Sequence, residues 1–341
     1  MKTSGNTSDN RMDWRSLPKV ELHLHLDISL SFEGAAQLEP GLTPEVYARE
    51  FVAPARCADL ADFLGRVPRL LGLLQSERGL AMVVQDVFHQ LAEDQVVYAE
   101  LRFAPLLHTQ GGLSPQEVVG IVEKAVEQNS QDSGIEARLI LCTLRHFSAE
   151  QSLQTLALVE QFRGSRVVGF DLAGDEAGYP LDAHLEAFRV AREKGIPFTS
   201  HAGEARGASS VWETLREIHP PRLGHGVRSL EDPALVAYLR RQQVHLEICP
   251  TCNVQLNVFP SYAKHSLAAL YRQQVPLSIS TDNRALTPIT LTREYEKLAA
   301  AFGWGSADFL TVNLSAIQAA FAPQPIREAL RRRIIQAYEG A

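Results

Sequence analysis

The chain has 341 residues, 45% of them hydrophobic and 21% charged, with a formal net charge of -7; this length fits two average domains or one large α/β barrel. The acidic balance argues against nucleic acid or an anionic membrane as partner, because both select basic patches. No apolar run is long enough to span a membrane. Four cysteines in a chain of this length do not make a disulfide framework, so we expect a cytoplasmic protein. The sequence does not determine its oligomeric state.

Residues 1–16 are polar and are expected to form a loose tail before a single domain at 17–341. The first predicted element is a strand at 19–27, with the sequence Lys-Val-Glu-Leu-His-Leu-His-Leu-Asp. Residues two apart in a strand point to the same side, so His23 and His25 project together with Asp27 beyond them. This pattern predicts that the two histidines bind a metal ion, although an exposed edge strand produces the same alternation.

A helical region follows at 32–91, which several prolines divide into short helices. Strand-like segments and helical segments then alternate to the end of the chain. The seven further strands are predicted at 96–105, 136–145, 167–173, 196–201, 222–226, 244–248 and 276–282. Helices are predicted between most of these strands, for example at 114–128, 181–194, 230–241 and 262–274, and closing helices after the last strand at 292–302, 306–320 and 325–337.

Strands that alternate with helices imply right-handed crossovers and a parallel sheet. Eight such units predict a (β/α)8 TIM barrel, with an extra helical insertion after strand 1 and closing helices at the C-terminus. Active sites of such barrels lie at the C-terminal ends of the strands. Ionisable residues follow the predicted ends of five strands, which favours a catalytic role for that rim.

Two more of these rim residues complete a candidate metal site. His201 and Asp282 would add a third imidazole and a carboxylate, a ligand set that suits Zn²⁺ with one position left for water. Glu204, three residues after His201, is a candidate general acid if its pKa is raised. His225 stands between glycines and is a candidate to orient or deprotonate the water. The alternatives are a solvated turn for Glu204 and a structural histidine for His225.

The pair Cys249 and Cys252 has neither a second cysteine pair nor nearby histidines, which argues against a structural zinc site. We expect its loop to line the pocket. Its order also differs from the Pro-Cys-x-x-Cys of cytidine deaminases. The remaining histidines have no matching context and are interpreted as structural: His89, His108, His146, His184, His219, His245 and His265.

Six short motifs, in order along the chain, resemble the adenosine deaminase family. They are Leu-Pro-Lys-Val-Glu-Leu-His-Leu-His-Leu-Asp at 17–27, Asp-Leu-Ala-Gly-Asp-Glu at 171–176, His-Ala-Gly-Glu at 201–204, Gly-His-Gly at 224–226, Cys-Pro-Thr at 249–251 and Ser-Thr-Asp at 280–282. The resemblance extends from about Leu17 to the C-terminal helices and is closest to bacterial members. The family fold is a zinc-containing (β/α)8 barrel, in agreement with the alternation of elements.

The resemblance implies a role for each matching residue. One Zn²⁺ per chain would be held by His23, His25, His201 and Asp282. Glu204 would protonate purine N1, and His225 would align and activate the attacking hydroxide. The substrate-binding residues would be His25, which also faces the substrate, Asp27 at the ribose 5′-hydroxyl, Gly174 at purine N3, Asn283 at N7, and Leu60, Phe63 and Leu64 in an apolar lid. The last three have the spacing of an ordinary core-facing helix as well.

Two positions depart from the family pattern. Ile28 follows Asp27 where many relatives have glycine, and its bulk is expected to alter the ribose end of the pocket. Asn283 stands where many relatives have a second aspartate. Its amide offers N–H donors at any pH, so the contact with N7 can survive the change.

The resemblance implies zinc-dependent hydrolytic deamination of adenosine or 2′-deoxyadenosine, with a small purine nucleoside as partner. An alternative is a deaminase of another 6-aminopurine, adenine or aminofutalosine. A dinuclear hydrolase also begins with His-x-His, but such barrels commonly bridge two metals with a lysine on strand 4, and 167–173 contains none. A non-catalytic nucleoside-binding barrel would have lost a ligand or the acid, and all of these residues are present.

Overall fold

The computed structural model describes residues 13–340, and its strands all belong to one barrel. The eight strands are β1 (Lys19–His25), β2 (Val96–Phe103), β3 (Glu136–Leu144), β4 (Val167–Ala173), β5 (Ser200–Ala202), β6 (Arg222–His225), β7 (His245–Ile248) and β8 (Leu277–Ile279). They pair in parallel as two four-stranded sheets, in the orders β1-β2-β3-β4 and β5-β6-β7-β8. Nearly every strand residue is buried, as expected for a parallel sheet covered by helices.

Backbone hydrogen bonds join the two sheets at both seams. At the β4–β5 seam, the Phe170 N–H donates to the Pro197 carbonyl and the Thr199 N–H to the Phe170 carbonyl, both at 3.0 Å. At the β8–β1 seam, the His25 N–H donates to the Asp282 carbonyl at 2.7 Å, and the Asp282 N–H to the His23 carbonyl at 3.0 Å. The predicted (β/α)8 barrel is confirmed, with residues beyond the last strand completing the ring.

The predicted helical insertion lies between β1 and β2 and consists of five helices. They are α1 (Phe32–Leu38), α2 (Pro44–Glu50), α3 (Leu60–Leu64), α4 (Val67–Leu73) and α5 (Glu77–Glu93). Ser31, Thr43, Asp59 and Ser76 accept hydrogen bonds from backbone N–H groups in the first turns of α1, α2, α3 and α5. Local capping therefore sets where most of these short helices begin.

The remaining ten helices lie between the later strands and after β8. They are α6 (Pro115–Ser133), α7 (Ala149–Gln161), α8 (Leu185–Glu193), α9 (Ala208–Glu217), α10 (Pro233–Gln242), α11 (Pro250–Gln255), α12 (Leu267–Arg272), α13 (Leu291–Phe302), α14 (Ser306–Ala319) and α15 (Gln324–Glu339). Among residues 13–340, no helix combines the length and the apolar character needed to cross a membrane.

Several boundaries differ from the sequence predictions, among them those of β1, β5 and the N-terminal tail. β1 ends at His25, and Asp27 lies in the 3-10 turn Leu26–Ile28, so it is not on the strand with the histidines. β5 is short because Pro197, which has no N–H to donate, interrupts the predicted strand. Residues 1–12 of the predicted tail lie outside the described residues, while Trp14 packs edge-on against Phe309 with ring centroids 4.8 Å apart. The packed chain therefore begins before the predicted boundary at Leu17.

Candidate active site

The four predicted metal ligands converge at the C-terminal rim of the barrel. Each offers one donor atom, and all four atoms lie within 4.8 Å of one another. The His25 and His201 Nε2 atoms are 3.2 Å apart, and Asp282 Oδ1 lies 3.3 Å from His23 Nε2 and 3.5 Å from His25 Nε2. Donors about 2.1 Å from a five-coordinate zinc ion are about 3.0 to 4.2 Å from one another, so these three separations fit four protein ligands with a fifth position left for water.

The chemistry of the donors also fits a cation. His23 is fully buried, yet its Nε2 has no hydrogen-bond partner among the described residues. Burial lowers the pKa of His25 to about 3 and holds the pKa of His23 well below its ordinary value, with the Arg102 charge adding to the effect at His23. The His23 and His25 imidazoles are therefore neutral, which is the form that binds metals.

Buried charges behind the ligands orient two of the imidazole rings. His23 Nδ1 lies 2.9 Å from Glu247 Oε2, and His201 Nδ1 lies 3.3 Å from Asp171 Oδ1. The Arg102 guanidinium joins the two carboxylates, at 2.6 Å from Glu247 and 3.0 Å from Asp171. Such partners fix the ring and the tautomer that present the other nitrogen to the metal.

Glu204 lies beside this cluster, at the end of the cavity where the ligands meet. It is 7% exposed, and its Oε1 accepts a hydrogen bond from Asn253 Nδ2 at 2.8 Å. Burial, reinforced by the charges of Asp282 and Glu176, raises the pKa of Glu204 well above its ordinary value. A carboxyl group in this environment retains its proton at a pH where an exposed glutamate is ionised.

His225 lies next to Glu204 at the end of β6. Its Nδ1 is 3.3 Å from both Glu204 Oε1 and Asn253 Nδ2, and its ring centroid is 4.8 Å from that of His23. Its φ of 62° is in the left-handed region, which is uncommon for a residue other than glycine and is typical of functional sites. Burial holds the pKa of His225 well below its ordinary value, so the ring is neutral and able to accept a proton.

A cavity of about 380 Å³ opens onto these residues. His25, His201, Asp282, Glu204 and His225 form its polar end. The predicted lid residues Leu60, Phe63 and Leu64, on α3, form part of its apolar wall together with residues of α4. The volume is in the range of small-molecule sites, and the position of α3 supports the lid interpretation over that of a purely core-facing helix.

Asp27 and Gly174 also line the cavity, as predicted. Asp27 Oδ2 accepts the Ala104 N–H at 3.1 Å and lies 3.6 Å from His108 Nε2. Burial opposes ionisation of Asp27, but these contacts outweigh it and lower its pKa. Gly174 has a φ of 97°, a conformation that favours glycine. Ile28 lines the same end of the cavity, where its side chain was expected to affect the pocket.

Asn283 is the one predicted substrate-binding residue that does not lie in the cavity wall. It is fully buried, and its Oδ1 accepts the Thr287 N–H at 2.9 Å. Its Nδ2 has no hydrogen-bond partner among the described residues. Thr287 thus orients the Asn283 amide and leaves its NH₂ group without a hydrogen-bond partner among the described residues.

Sequence reasoning missed several residues of the site. Asn253, on α11, contacts both Glu204 and His225. Two histidines that were interpreted as structural also belong to the site: His146 lines the cavity, and the fully buried His108 lies 3.6 Å from Asp27. The expectation that the Cys249–Cys252 loop lines the pocket is wrong, because no residue of this segment is in the cavity wall. Cys249 immediately precedes the short helix α11, Cys252 lies within it, and both thiols are fully buried. The Cys-Pro-Thr motif just before Asn253 was the available signal for this helix.

Comparison with known proteins points in one direction. A family model described as adenosine deaminase matches residues 18–337. Adenosine deaminase 1 of Streptomyces coelicolor is 36% identical, covering 94% of this chain and 87% of that protein. The adenosine deaminase of Enterococcus faecalis is 34% identical over 95% of this chain and 98% of its own length. The solved structure of adenine deaminase from Arthrobacter aurescens is 25% identical and superposes with a TM-score of 0.86, covering 94% of this chain and 98% of that one.

Proposed function

The chain belongs to the adenosine deaminase family, and from this premise we propose that it hydrolyses adenosine and 2′-deoxyadenosine to inosine or 2′-deoxyinosine and ammonia. One observation carries the proposal. The four candidate metal ligands, a carboxyl group with a raised pKa and a neutral histidine meet at one end of a single cavity. Metal, acid and base are the groups that this aminohydrolase reaction requires.

We propose one Zn²⁺ per chain, held by His23, His25, His201 and Asp282. When bound, such an ion lowers the pKa of a coordinated water towards neutrality and so supplies hydroxide at neutral pH. The four donor atoms and the unpartnered His23 Nε2 support this ligand set. The absence of lysine from β4 supports one metal in preference to two.

Glu204 acts on the purine ring. Its carboxyl group, protonated in the buried site, donates to N1, and the proton transfer draws electrons from C6 and makes that carbon electrophilic. Asn253 holds one carboxyl oxygen of Glu204 by its N–H, which leaves the other for the substrate. After attack at C6 the amino group takes up the proton that His225 accepted from the water and leaves as ammonia. The hydroxyl proton of the adduct returns to Glu204, and the 6-oxopurine keeps its new proton on N1.

His225 orients the attacking water and accepts its proton. Its neutral ring and its place between Glu204 and His23 suit it to this role. Its left-handed backbone conformation holds the ring towards the cavity at a cost in strain that the barrel sustains.

The remaining contacts bind and orient the nucleoside. The Gly174 N–H is proposed to bind purine N3, Asp27 the ribose 5′-hydroxyl, and Asn283 Nδ2 the purine N7. Leu60, Phe63 and Leu64 would cover the purine and exclude water. A cytoplasmic location, which we also propose, agrees with four buried cysteines that are all free.

The test is the loss of adenosine absorbance on purified protein, with chelator and after zinc is restored. We expect turnover that the chelator abolishes and zinc recovers. Glu204→Gln is expected to lose turnover while retaining one zinc per chain by metal analysis. Absence of activity on adenosine would overturn the proposal, and activity retained by Glu204→Gln would remove the assigned acid.

Adenine is the second candidate substrate, because a structure of similar fold is an adenine deaminase. Asp27 at the cavity wall favours a nucleoside, since free adenine has no sugar hydroxyl to meet it. Rates on adenosine, adenine and aminofutalosine, measured side by side, distinguish these substrates.

A further inference from the structure

We propose that Glu176 is a positioning residue that fixes the backbone of Glu204 relative to Gly174, and so sets where the proton donor meets the purine ring. The inference rests on the proposed function. Glu176 lies two residues beyond Gly174, in the segment that follows β4, and is 2% exposed. Its side chain crosses to the segment between β5 and α9, which carries Glu204.

Five donors converge on the Glu176 carboxylate. Oε1 accepts the Gly203 N–H at 2.7 Å and the Ser210 hydroxyl at 2.6 Å. Oε2 accepts the N–H groups of Glu204 at 3.1 Å, Ala205 at 2.8 Å and Arg206 at 2.9 Å. One side chain therefore binds four successive backbone N–H groups of the catalytic segment.

Only a carboxylate suits this arrangement. It has two acceptor oxygens and no competing donor when ionised, whereas the amide of glutamine would place an NH₂ group against N–H donors. Buried N–H groups left without an acceptor cost free energy, so the segment would have to rearrange without Glu176. The left-handed Gly203, with a φ of 72°, directs these N–H groups towards Glu176 at the start of the turn.

Hydrogen bonds fix both the backbone and the side chain of Glu204. Its backbone N–H is bound by Glu176, and its carboxyl oxygen is bound by Asn253. Glu176 is also close in sequence to Gly174, whose N–H is proposed to bind N3. N1 and N3 belong to the same six-membered ring, so the Glu176 contacts determine whether the two segments can reach that ring at once.

The first experiment compares wild type with Glu176→Gln. We expect kcat on adenosine to fall on the order of 100-fold, the cost of a displacement of about 1 Å in a catalytic group, with a much smaller change in KM and one zinc retained per chain. Glu176→Asp, which keeps the acceptors on a shorter stem, should recover part of the loss. Ser210→Ala, which removes one donor and leaves the backbone contacts, is the matched control and should remain near wild type.

A double-mutant cycle separates positioning from general damage. Because Glu176 acts through Glu204, adding Glu176→Gln to Glu204→Gln should lower the residual turnover little. The inference would be overturned if Glu176→Gln lowered kcat by the same factor in the wild type and in Glu204→Gln. It would also be overturned if the kcat of Glu176→Gln were within about threefold of wild type. If Glu176→Gln does not fold, the same cycle is run with Glu176→Asp.

The two proposals fail in different ways. A wild-type protein inactive on adenosine overturns the proposed substrate and leaves the Glu176 cycle to be run on the 6-aminopurine that is turned over. An active wild type with an unimpaired Glu176→Gln overturns only the positioning role.

Discussion

Gly224 illustrates how a residue without a side chain contributes to the metal site. It lies on β6 between two ligand rings, and a Cβ atom placed there would be 2.9 Å from His23 Cε1 and 3.2 Å from His201 Cγ. Real Cβ atoms do not approach so closely, so at least one ring would have to move. The absence of a side chain at Gly224 therefore leaves the space that the His23 and His201 imidazoles occupy.

We predict that Gly224→Ala lowers zinc affinity by about 10-fold or more, the size of effect seen when partners that orient metal ligands are altered. Competition with a chromophoric chelator measures it. The matched control is Gly120→Ala on α6, where the nearest atom is 3.9 Å away; it should leave zinc affinity unchanged and add about 0.4–1 kcal/mol of stability. Equal affinities for the two variants would contradict the prediction.

The six residues predicted for metal binding and catalysis could be grouped from sequence because each lies in a short motif at or near a strand end. Glu176 and Asn253 could not be assigned a role, since their partners are distant in sequence and only the folded barrel brings them together. The same is true of Arg102, whose two carboxylate partners are on β4 and β7. Asn283 was expected in the cavity, and its burial depends on the path of the chain after β8.

At the level of elements, Glu294 on α13 connects one of the closing helices to the active-site rim. It is fully buried, its Oε1 accepts the Thr251 N–H of α11 at 2.9 Å, and its Oε2 has no partner among the described residues. Burial raises the pKa of Glu294 to about 7, although the Thr251 hydrogen bonds oppose the shift. Helix α11 also carries Asn253, which contacts Glu204.

This pKa predicts a stability change with pH. The folded protein keeps a proton on Glu294 that the unfolded chain releases above its ordinary pKa of 4.5. The free energy of unfolding should therefore fall as pH rises from about 4.5 to about 7, by about 3 kcal/mol from this group, and then level off. Glu294→Gln, neutral throughout, should remove this component.

Denaturant unfolding of wild type and Glu294→Gln at pH 5 and pH 8 checks the prediction. The difference in stability between the two proteins should shift in favour of the variant at the higher pH. A difference that is the same at both pH values would show that Glu294 does not hold its proton in the folded state.

The elements themselves were largely predictable, because alternating strands and helices have distinct hydrophobic periods. β4 was predicted with its observed bounds. β5 and β8 were predicted too long, since Pro197 delays the start of β5 and the turn that carries Asp282 ends β8 early. The turn at Asp27 was missed because the alternation of polar and apolar residues continues past the end of β1.

At the scale of the whole molecule, the candidate metal lies at the β8–β1 seam. His23 and His25 are on the first strand, Asp282 follows the last, and backbone hydrogen bonds of these same residues close the barrel. A ligand that binds only the folded state stabilises it by mass action, by about 4 kcal/mol at a free concentration 1,000 times its Kd.

We predict that removing the metal with a chelator lowers Tm and speeds hydrogen exchange of the His25 and Asp282 amides more than that of the β4–β5 seam amides, Phe170 and Thr199. Chelator preloaded with zinc is the control and should change neither. A metal-free protein, verified by metal analysis, with the Tm and exchange rates of the loaded one would contradict a role for the ion at the seam.

The placement of Asp282 has a consequence for synthesis. A growing chain emerges with His23 and His25 first and His201 much later, and the fourth ligand follows only when the eighth strand has been made. No shorter nascent chain contains the complete ligand set, so tight capture of the metal must wait until Asp282 has left the ribosome. Loading with metal and completion of the barrel therefore both follow synthesis of the eighth strand, and a chain that stops before Asp282 would lack both.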